Sequence, residues 1–288
     1  MSLNEATPTV VGPVAGPDPR AAAPRLTVHG ARIGYGDKVV LPEVDLSIPT
    51  GVITTVIGPN GCGKSTLLRS LARLLPPLAG RVCLDGQDLY RLRPRQVATV
   101  IGLLPQMPVA PEGMTVADLV ALGRHPHHSW LRQWAADDAD HVRRALELTG
   151  VGDLAGRTVD TLSGGQRQRV WLAMALAQDT DIVLLDEPST YLDLAHALDL
   201  LDLVDVLHDE RGRTVVMVLH DLVLATRYSD HLVVMKDGRV VTAGAPQEVI
   251  TAELLAEVFG LQAQVVSDPV SDRPLIVPIG RRHTTVVR

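Results

Sequence analysis

Cysteine and long apolar runs are scarce in this chain of 288 residues. The two cysteines, Cys62 and Cys83, provide no disulfide framework, and this usage fits a reducing compartment. No apolar run approaches the ~20 residues that a membrane-spanning helix needs. The first residues lack a basic segment followed by an apolar one, so we expect no signal peptide. Any role at a membrane would therefore depend on a partner protein.

An excess of basic residues is also lacking. The formal net charge is −6, from 33 acidic residues against 27 lysines and arginines. Only positions 38, 64 and 236 are lysine. Nucleic-acid-binding domains usually carry a basic patch or stripe, so the composition gives no sign of nucleic acid as a partner. Apolar residues make up 46% of the chain, which is ordinary for a globular protein.

The order of the apolar segments predicts a largely parallel sheet covered by helices, because strand-sized runs alternate with helical ones. Residues 1–24 are rich in Pro, Ala and Gly without periodicity, so we expect a flexible tail. A mostly helical stretch at about 105–178 is predicted to be an insertion. Asp237-Gly238 predicts a hairpin. The predicted helices cover residues 64–74, 116–122, 136–148, 164–177, 194–210 and 222–229.

The segment GPNGCGKST fits the G-x-x-x-x-G-K-[ST] pattern of a phosphate-binding loop. It follows a predicted strand and opens a predicted helix, which is the context that the pattern requires. Backbone N–H groups of such a loop surround phosphate oxygens, the lysine reaches the terminal phosphates and the serine hydroxyl ligates Mg²⁺. We therefore predict a nucleotide site formed by Gly58, Pro59, Asn60, Gly61, Cys62, Gly63, Lys64, Ser65 and Thr66. Cys62 is interpreted as a small filler there.

Two adjacent carboxylates, Asp186 and Glu187, follow a buried apolar strand-like run. Ligands of open α/β sheets bind at such strand ends. Neighbouring carboxylates repel each other unless a cation is present. We expect Asp186 to belong to the Mg²⁺ shell and Glu187 to polarise an attacking water.

A second anion site is predicted about a hundred residues after the first. Ser163, Gly164 and Gly165 open the predicted helix at 164–177, and helix N-termini present free N–H groups and a positive dipole end. One nucleotide site does not need two such cradles, so the second requires its own explanation.

The motifs LSGGQ and LLDEP, together with GPNGCGKST, LLPQ and LHD, occur in the order typical of one family. Over about residues 25–262 the chain resembles the ATP-binding cassette (ABC) ATPases. The resemblance implies an α/β P-loop NTPase fold with a RecA-like core, an antiparallel β-subdomain and an inserted α-helical subdomain. Residues 263–288 would form a C-terminal extension.

The resemblance also implies roles for single residues. Tyr35 stands where these proteins stack an aromatic ring on adenine. Gln106 matches the glutamine that contacts Mg²⁺ and water, so Ser65, Gln106 and Asp186 would hold the metal. His220 matches the histidine beside the γ-phosphate. Glu187, His220, Gln106 and Lys64 would then carry the hydrolysis of ATP.

The second cradle is explained by the family's assembly. Its members form head-to-tail dimers with two ATP molecules at the interface. Ser163, Gly164, Gly165 and Gln166 would therefore contact the ATP held by a second copy, and Asp193 matches a loop aspartate that contacts across the dimer.

Longer phrases, including DEPSTYLDLAHALDLLDLV, resemble the ATPases of ferric-siderophore importers, relatives of the haem and vitamin B12 importers. Such ATPases lie on the cytoplasmic face of a membrane permease that an external binding protein supplies. Haem, vitamin B12 or another metal chelate stays open as the cargo, and an exporter ATPase is the further alternative. A cassette acting on DNA or ribosomes would need duplicated cassettes, a coiled-coil insertion or basic patches.

The cluster of His125, His127 and His128 also invites a metal site. It crowds around Pro126 without an obvious fourth ligand, so we interpret these histidines as solvated.

Overall fold

Strands and helices alternate along the described part of this computed structural model, which comprises residues 23–128, 137–190 and 192–280. The predicted tail at 1–24 lies almost wholly outside these ranges. The strands are β1 Leu26–Tyr35, β2 Lys38–Ile48, β3 Ile53–Ile57, β4 Ala79–Leu84, β5 Gln87–Asp88, β6 Ile101–Leu104, β7 Ile182–Asp186, β8 Thr214–Val218, β9 His231–Lys236, β10 Arg239–Gly244, β11 Ala263–Ser267 and β12 Pro274–Pro278. The helices are α1 Lys64–Leu71, α2 Pro94–Ala98, α3 Val116–Leu122, α4 Asp138–Leu148, α5 Gly164–Ala177, α6 Leu194–Arg211, α7 Leu222–Tyr228, α8 Pro246–Val249 and α9 Ala252–Phe259.

The central sheet has six strands in the order β10-β9-β3-β8-β7-β6. Neighbours from β9 to β6 run parallel, and β10 joins antiparallel to β9. The predicted parallel sheet is therefore confirmed, and so is the hairpin. Asp237 and Gly238 both have positive φ, 48° and 76°, as a tight hairpin turn requires.

The inner strands β3, β7 and β8 are buried on both faces, so their successive side chains supply two different cores. Ile57, Leu185 and Met217 join the cluster packed on α5, α6 and α7. Val56 and Leu184 point the other way, into a cluster that includes α1 and the second sheet. Burial on both sides explains why these strands read as continuous apolar runs rather than alternating ones.

The second sheet is antiparallel, in the order β2-β1-β4-β5, and α1 packs between it and the central sheet. The prediction that α1 reaches residue 74 was wrong. The helix ends at Leu71, because Ala72 has left helical geometry and Arg73 has φ +63°. The guanidinium of Arg73 then donates to the carbonyl oxygens of Leu89 and Leu92, which ties this turn to the segment that follows β5.

Helices α3, α4 and α5 lie between β6 and β7, which are adjacent parallel strands. The bounds predicted for α3 and α5 are confirmed. The predicted start of α4 at 136 lies outside the described residues, and the helix begins at Asp138. Arg124 and Asp138 form an ion pair of 2.8 Å there, with both side chains buried.

The last elements, α8, α9 and the β11–β12 hairpin, were not predicted from the sequence. The hairpin packs against α7, and Arg273 donates to the carbonyl oxygen of Ser229 and, at 3.2 Å, to a carboxylate oxygen of Asp230. No helix within the described ranges combines the length and apolar character needed to cross a bilayer.

Candidate active site

The loop between β3 and α1 has a backbone that only glycine can adopt at two positions. Gly58 has φ +156°, and a Cβ there would collide with the carbonyl oxygen of Met235. Gly63 has φ +105°, and a Cβ there would collide with the side chain of Leu41. The loop therefore packs tightly against Met235 and Leu41, and its tip at Asn60 is exposed to solvent. The α1 N-terminus that follows is a site for a phosphate group.

Lys64 is folded back into this loop. Its Nζ donates to the carbonyl oxygens of Gly58 at 2.8 Å and Pro59 at 3.0 Å. The ammonium group therefore lies inside the curl of the loop, and the donor set fits terminal phosphate oxygens. Thr66 is buried on α1.

The side chain of Cys62 packs into the core beneath the loop, and burial raises the pKa of its thiol. It is thus a filler, and any contact of Cys62 with a nucleotide would come from its main chain. The neighbouring Gly61 is exposed, with no atom in the way of a ligand approaching it.

The Ser65 hydroxyl donates to Oδ1 of Asp186 at 2.9 Å, joining the first turn of α1 to the end of β7. Burial raises the pKa of Asp186, and the charge of Glu187 acts in the same direction, whereas the bond from Ser65 opposes it. A buried carboxylate beside a hydroxyl is a hard-oxygen donor pair, which suits Mg²⁺. These two residues fit the ion, which would supply charge neutralisation of the phosphates when bound.

Three side chains converge on the carboxylate of Glu187, which is 7% exposed. Gln106 Nε2 lies 2.5 Å from Oε2, and His220 Nε2 lies 2.5 Å from Oε1. Thr190 Oγ1 donates to Oε2 at 3.1 Å. Gln106, Glu187 and His220 were predicted from separate motifs. The fold brings them together because they follow the neighbouring strands β6, β7 and β8. A carboxylate has about four lone-pair directions, so Glu187 keeps capacity to accept from a water.

The start of α5 lies apart from this cluster. Ser163 Oγ accepts from the backbone N–H of Gln166, and Gln166 Oε1 accepts from the N–H of Ser163, so the two side chains form a capping box. Gly164 is exposed, and a Cβ there would meet nothing within 4 Å. Within the described ranges no hydrogen bond joins this helix start to the phosphate loop. The exposed start of α5 therefore presents backbone N–H groups to solvent, which is the arrangement that an anion site requires.

Asp193 lies next to that helix start rather than next to Glu187. It caps α6 by accepting from the backbone N–H of His196 at 2.9 Å, and this bond lowers its pKa. A Cβ built on Gly165 would lie 3.4 Å from Cδ2 of the His196 ring. The predicted loop aspartate and the second glycine pair therefore share one surface.

Tyr35 ends β1 and is 43% exposed as a residue. Its hydroxyl accepts from Arg69 of α1 at 3.2 Å, which fixes the ring's outer edge. The free ring face suits stacking on a flat base.

The histidines around Pro126 are held by protein groups. His127 Nε2 lies 2.7 Å from the carbonyl oxygen of Gln178, and His128 Nε2 lies 3.0 Å from Asp138. Across the described residues no group of three or more His, Cys, Asp or Glu side chains is arranged for a metal. The interpretation of His127 and His128 as solvated was wrong, because both are tied into the α3–α5 packing.

A model of the ABC transporter family matches residues 41–190 of this chain. The chain belongs to this family. It is 54% identical over 254 residues to "Probable siderophore transport system ATP-binding protein YusV" of Bacillus subtilis (strain 168), covering 88% of this chain and 92% of that one. It is 48% identical over 257 residues to "Ferric enterobactin transport ATP-binding protein FepC" of Escherichia coli (strain K12), covering 89% and 95%.

The fold also matches a solved ABC cassette, MJ0796, whose dimeric post-hydrolysis state holds ADP and Pi. The TM-score is 0.68 with 27% identity, covering 76% of this chain and 98% of that one. The ABC ATPase fold predicted from the motifs is confirmed, as is nucleotide binding. As an ABC ATPase, the chain couples ATP hydrolysis to transport.

Some residues of this ABC ATPase site carried no signal in the sequence. Thr190 lies in the turn that holds Glu187, Gln168 donates to that turn, and the His196 ring lies beside Gly165. Only the three-dimensional neighbourhood identifies them, although Thr190 lies three residues after Glu187, the spacing at which a turn brings side chains together.

Proposed function

We propose that this chain is the ATPase subunit of an importer for a ferric siderophore or a related iron chelate. The observation that carries the catalytic part is the convergence of Gln106 and His220 on the carboxylate of Glu187. The support for the cargo is the pair of relatives whose names state siderophore and ferric enterobactin transport.

In the proposed reaction the chain's own groups position ATP and one water. Lys64 and the loop N–H groups bind the phosphates, and Tyr35 stacks on the adenine. Glu187 orients the water and accepts its proton, while His220 steadies the γ-phosphate. Ser65, Asp186 and Gln106 would hold Mg²⁺. Catalysis then consists of positioning and charge stabilisation, as in other phosphoryl transfers.

The assembly we propose is a head-to-tail dimer of two copies. Two features support it: the open helix start at Ser163–Gly165 beside Asp193, and the dimeric state of the cassette MJ0796. The dimer would lie peripherally on the cytoplasmic face of integral-membrane permease subunits, and an external binding protein would deliver the cargo. Nucleic acid is not a partner in this proposal.

The test uses Glu187→Gln, which keeps the shape of the side chain and removes its charge. We expect the variant to bind ATP as wild type does and to hydrolyse it at least a hundredfold more slowly, because general base catalysis typically contributes 10²–10⁴-fold. Nucleotide titration and phosphate release measure the two properties. The tagged variant, taken with ATP from gently solubilised membranes of its own cell, should bring a polytopic permease with it.

Glu43→Gln is the matched control, because Glu43 is exposed on β2. It should hydrolyse ATP normally. Normal hydrolysis by Glu187→Gln would contradict the role of Glu187, and recovery of ribosomal or DNA-repair proteins instead of a permease would contradict transport. Uptake assays on the purified complex with a ferric siderophore, haem and vitamin B12 then decide the cargo.

A further inference from the structure

The turn after β7 carries an unusual backbone at Glu187. Its φ is +54°, although the residue has a Cβ and precedes Pro188. Such strain persists only where the surroundings hold it in place. Here the backbone N–H of Thr190 donates to the carbonyl oxygen of Glu187 at 3.2 Å, and the Thr190 hydroxyl donates to Oε2 of the same residue at 3.1 Å. Thr190 therefore donates to both the main-chain carbonyl and the side-chain carboxylate of Glu187.

The other two side chains at the carboxylate come from different segments. Gln106 follows β6 and His220 follows β8, and His220 is 43% exposed at its side chain. Thr190 instead belongs to the same short turn as Glu187. That turn is fastened from outside by Gln168 of α5, whose Nε2 donates to the carbonyl oxygen of Pro188 at 2.8 Å.

We propose that Thr190 is a positioning residue for Glu187. Its hydroxyl holds Oε2 in place on the turn itself, so the carboxylate keeps its orientation when Gln106 and His220 turn to other partners. The inference rests on the proposed role of Glu187 as the residue that orients water. Thr190 touches neither substrate nor water in this scheme and acts only through the carboxylate.

The test compares Thr190→Val with Thr190→Ser. Valine keeps the shape of threonine and removes the hydroxyl, so kcat for ATP hydrolysis should fall about tenfold, which is the typical effect of losing one hydrogen bond to a charged group. KM for ATP and the ATP affinity by titration should stay unchanged, because Thr190 does not contact the nucleotide. Serine restores the hydroxyl and should bring kcat to within about twofold of wild type.

The separation of kcat from KM, together with rescue by Thr190→Ser, gives a readout that a structural role would not reproduce. Loss of positioning lowers kcat alone, whereas damage to the fold of the site would also raise KM and weaken ATP binding, and Thr190→Ser would not restore kcat. Thr99→Val is the matched control. The Thr99 hydroxyl also makes one local bond, to the carbonyl oxygen of Gln96 at the end of α2, and is half-buried. Thr99→Val should leave kcat and KM unchanged.

The outcomes separate this inference from the proposed function. If Glu187→Gln is inactive and Thr190→Val hydrolyses ATP like wild type, Thr190 has no positioning role. If Thr190→Ser loses as much as Thr190→Val, the hydroxyl is not the responsible group, and the inference is overturned even where valine has harmed the fold. If Glu187→Gln hydrolyses normally, the proposed function fails first.

Discussion

Asp205 is the residue whose protonation depends most clearly on where the fold places it. Burial on α6 raises its pKa to about 6, and nearby carboxylates act in the same direction. The charged groups that face it are Asp202 and Asp209 on its own helix, Asp230 before β9, and Arg273 of the β11–β12 hairpin, which opposes the rise. Asp202 in turn accepts from the hydroxyl of Tyr228 on α7 at 2.6 Å.

The direction in which pH changes the stability of the fold follows from proton linkage. The folded pKa lies above the ordinary value of 3.8, so the native state binds this proton more tightly than the unfolded chain does. The resulting stability is fully present below about pH 4 and is lost as the pH rises through 6. We expect Asp205→Asn to be more stable than wild type by about 1 kcal/mol at pH 7.5, after allowance for solvent screening of this half-exposed group.

Thermal or urea unfolding at several pH values measures this difference. At pH 3.5 the two proteins should have nearly equal stability, since both side chains are then neutral. Asp153→Asn is the control, because Asp153 is exposed, and its stability should follow the wild-type pH profile. A stabilisation by Asp205→Asn that is the same at pH 3.5 and pH 7.5 would show that protonation is not its cause.

Two of the ion pairs made by residues of helix α4 differ strongly in burial. Asp138 pairs with Arg124 at 2.8 Å, with side-chain exposures of 1% and 6%. Asp140 pairs with Arg143 at 2.9 Å, with exposures of 72% and 63%. Removing one partner of a buried pair leaves a charge without compensation, whereas water replaces a lost surface partner.

We therefore expect Asp138→Asn to lower the free energy of unfolding by about 3 kcal/mol. Denaturant unfolding measures it, and Asp140→Asn on the same helix is the control, for which we expect no measurable change. Equal effects of the two substitutions would mean that burial does not set the value of the Arg124–Asp138 pair. The packing of α3 and α4 on α5 would then depend on apolar contacts alone.

At the scale of the whole molecule, Gly164 separates the requirements of the single chain's fold from those of the proposed dimer. Because a Cβ there meets nothing within 4 Å, the fold itself does not require glycine. In the proposed dimer this helix start approaches the nucleotide of a second copy. Gly164→Leu, in the Glu187→Gln background, should fold and bind ATP normally but lose ATP-dependent dimerisation, as measured by size-exclusion chromatography.

Gly156→Leu is the matched control, since a Cβ on Gly156 also meets nothing within 4 Å and its φ is not positive. It should dimerise with ATP. If the protein with both Gly164→Leu and Glu187→Gln dimerises at the same ATP concentration as the protein with Glu187→Gln alone, this helix start does not lie at a second copy's nucleotide.

Local patterns explain most of the agreement between the sequence and the fold. Strands buried on both faces show as short apolar runs, Ser163 followed by two glycines marks a helix start, and Asp237-Gly238 marks a hairpin, since each signal depends on neighbouring residues. The end of α1 was not predicted because Arg73 is held by the carbonyl groups of Leu89 and Leu92, in the segment that follows β5. The β11–β12 hairpin was not predicted because it packs on α7, which is distant along the chain.

The sequence by itself determined the family, the nucleotide loop and the identity of Gln106, Glu187 and His220, because each motif is a contiguous stretch with its own chemistry. Only the tertiary structure decided which side chains act on one another. It brought the ends of β6, β7 and β8 to one edge of the sheet, since parallel neighbours align their carboxyl ends. It also gave Glu187 its third partner, Thr190, and set the pKa of Asp205, because burial and neighbouring charge are properties of the packed chain.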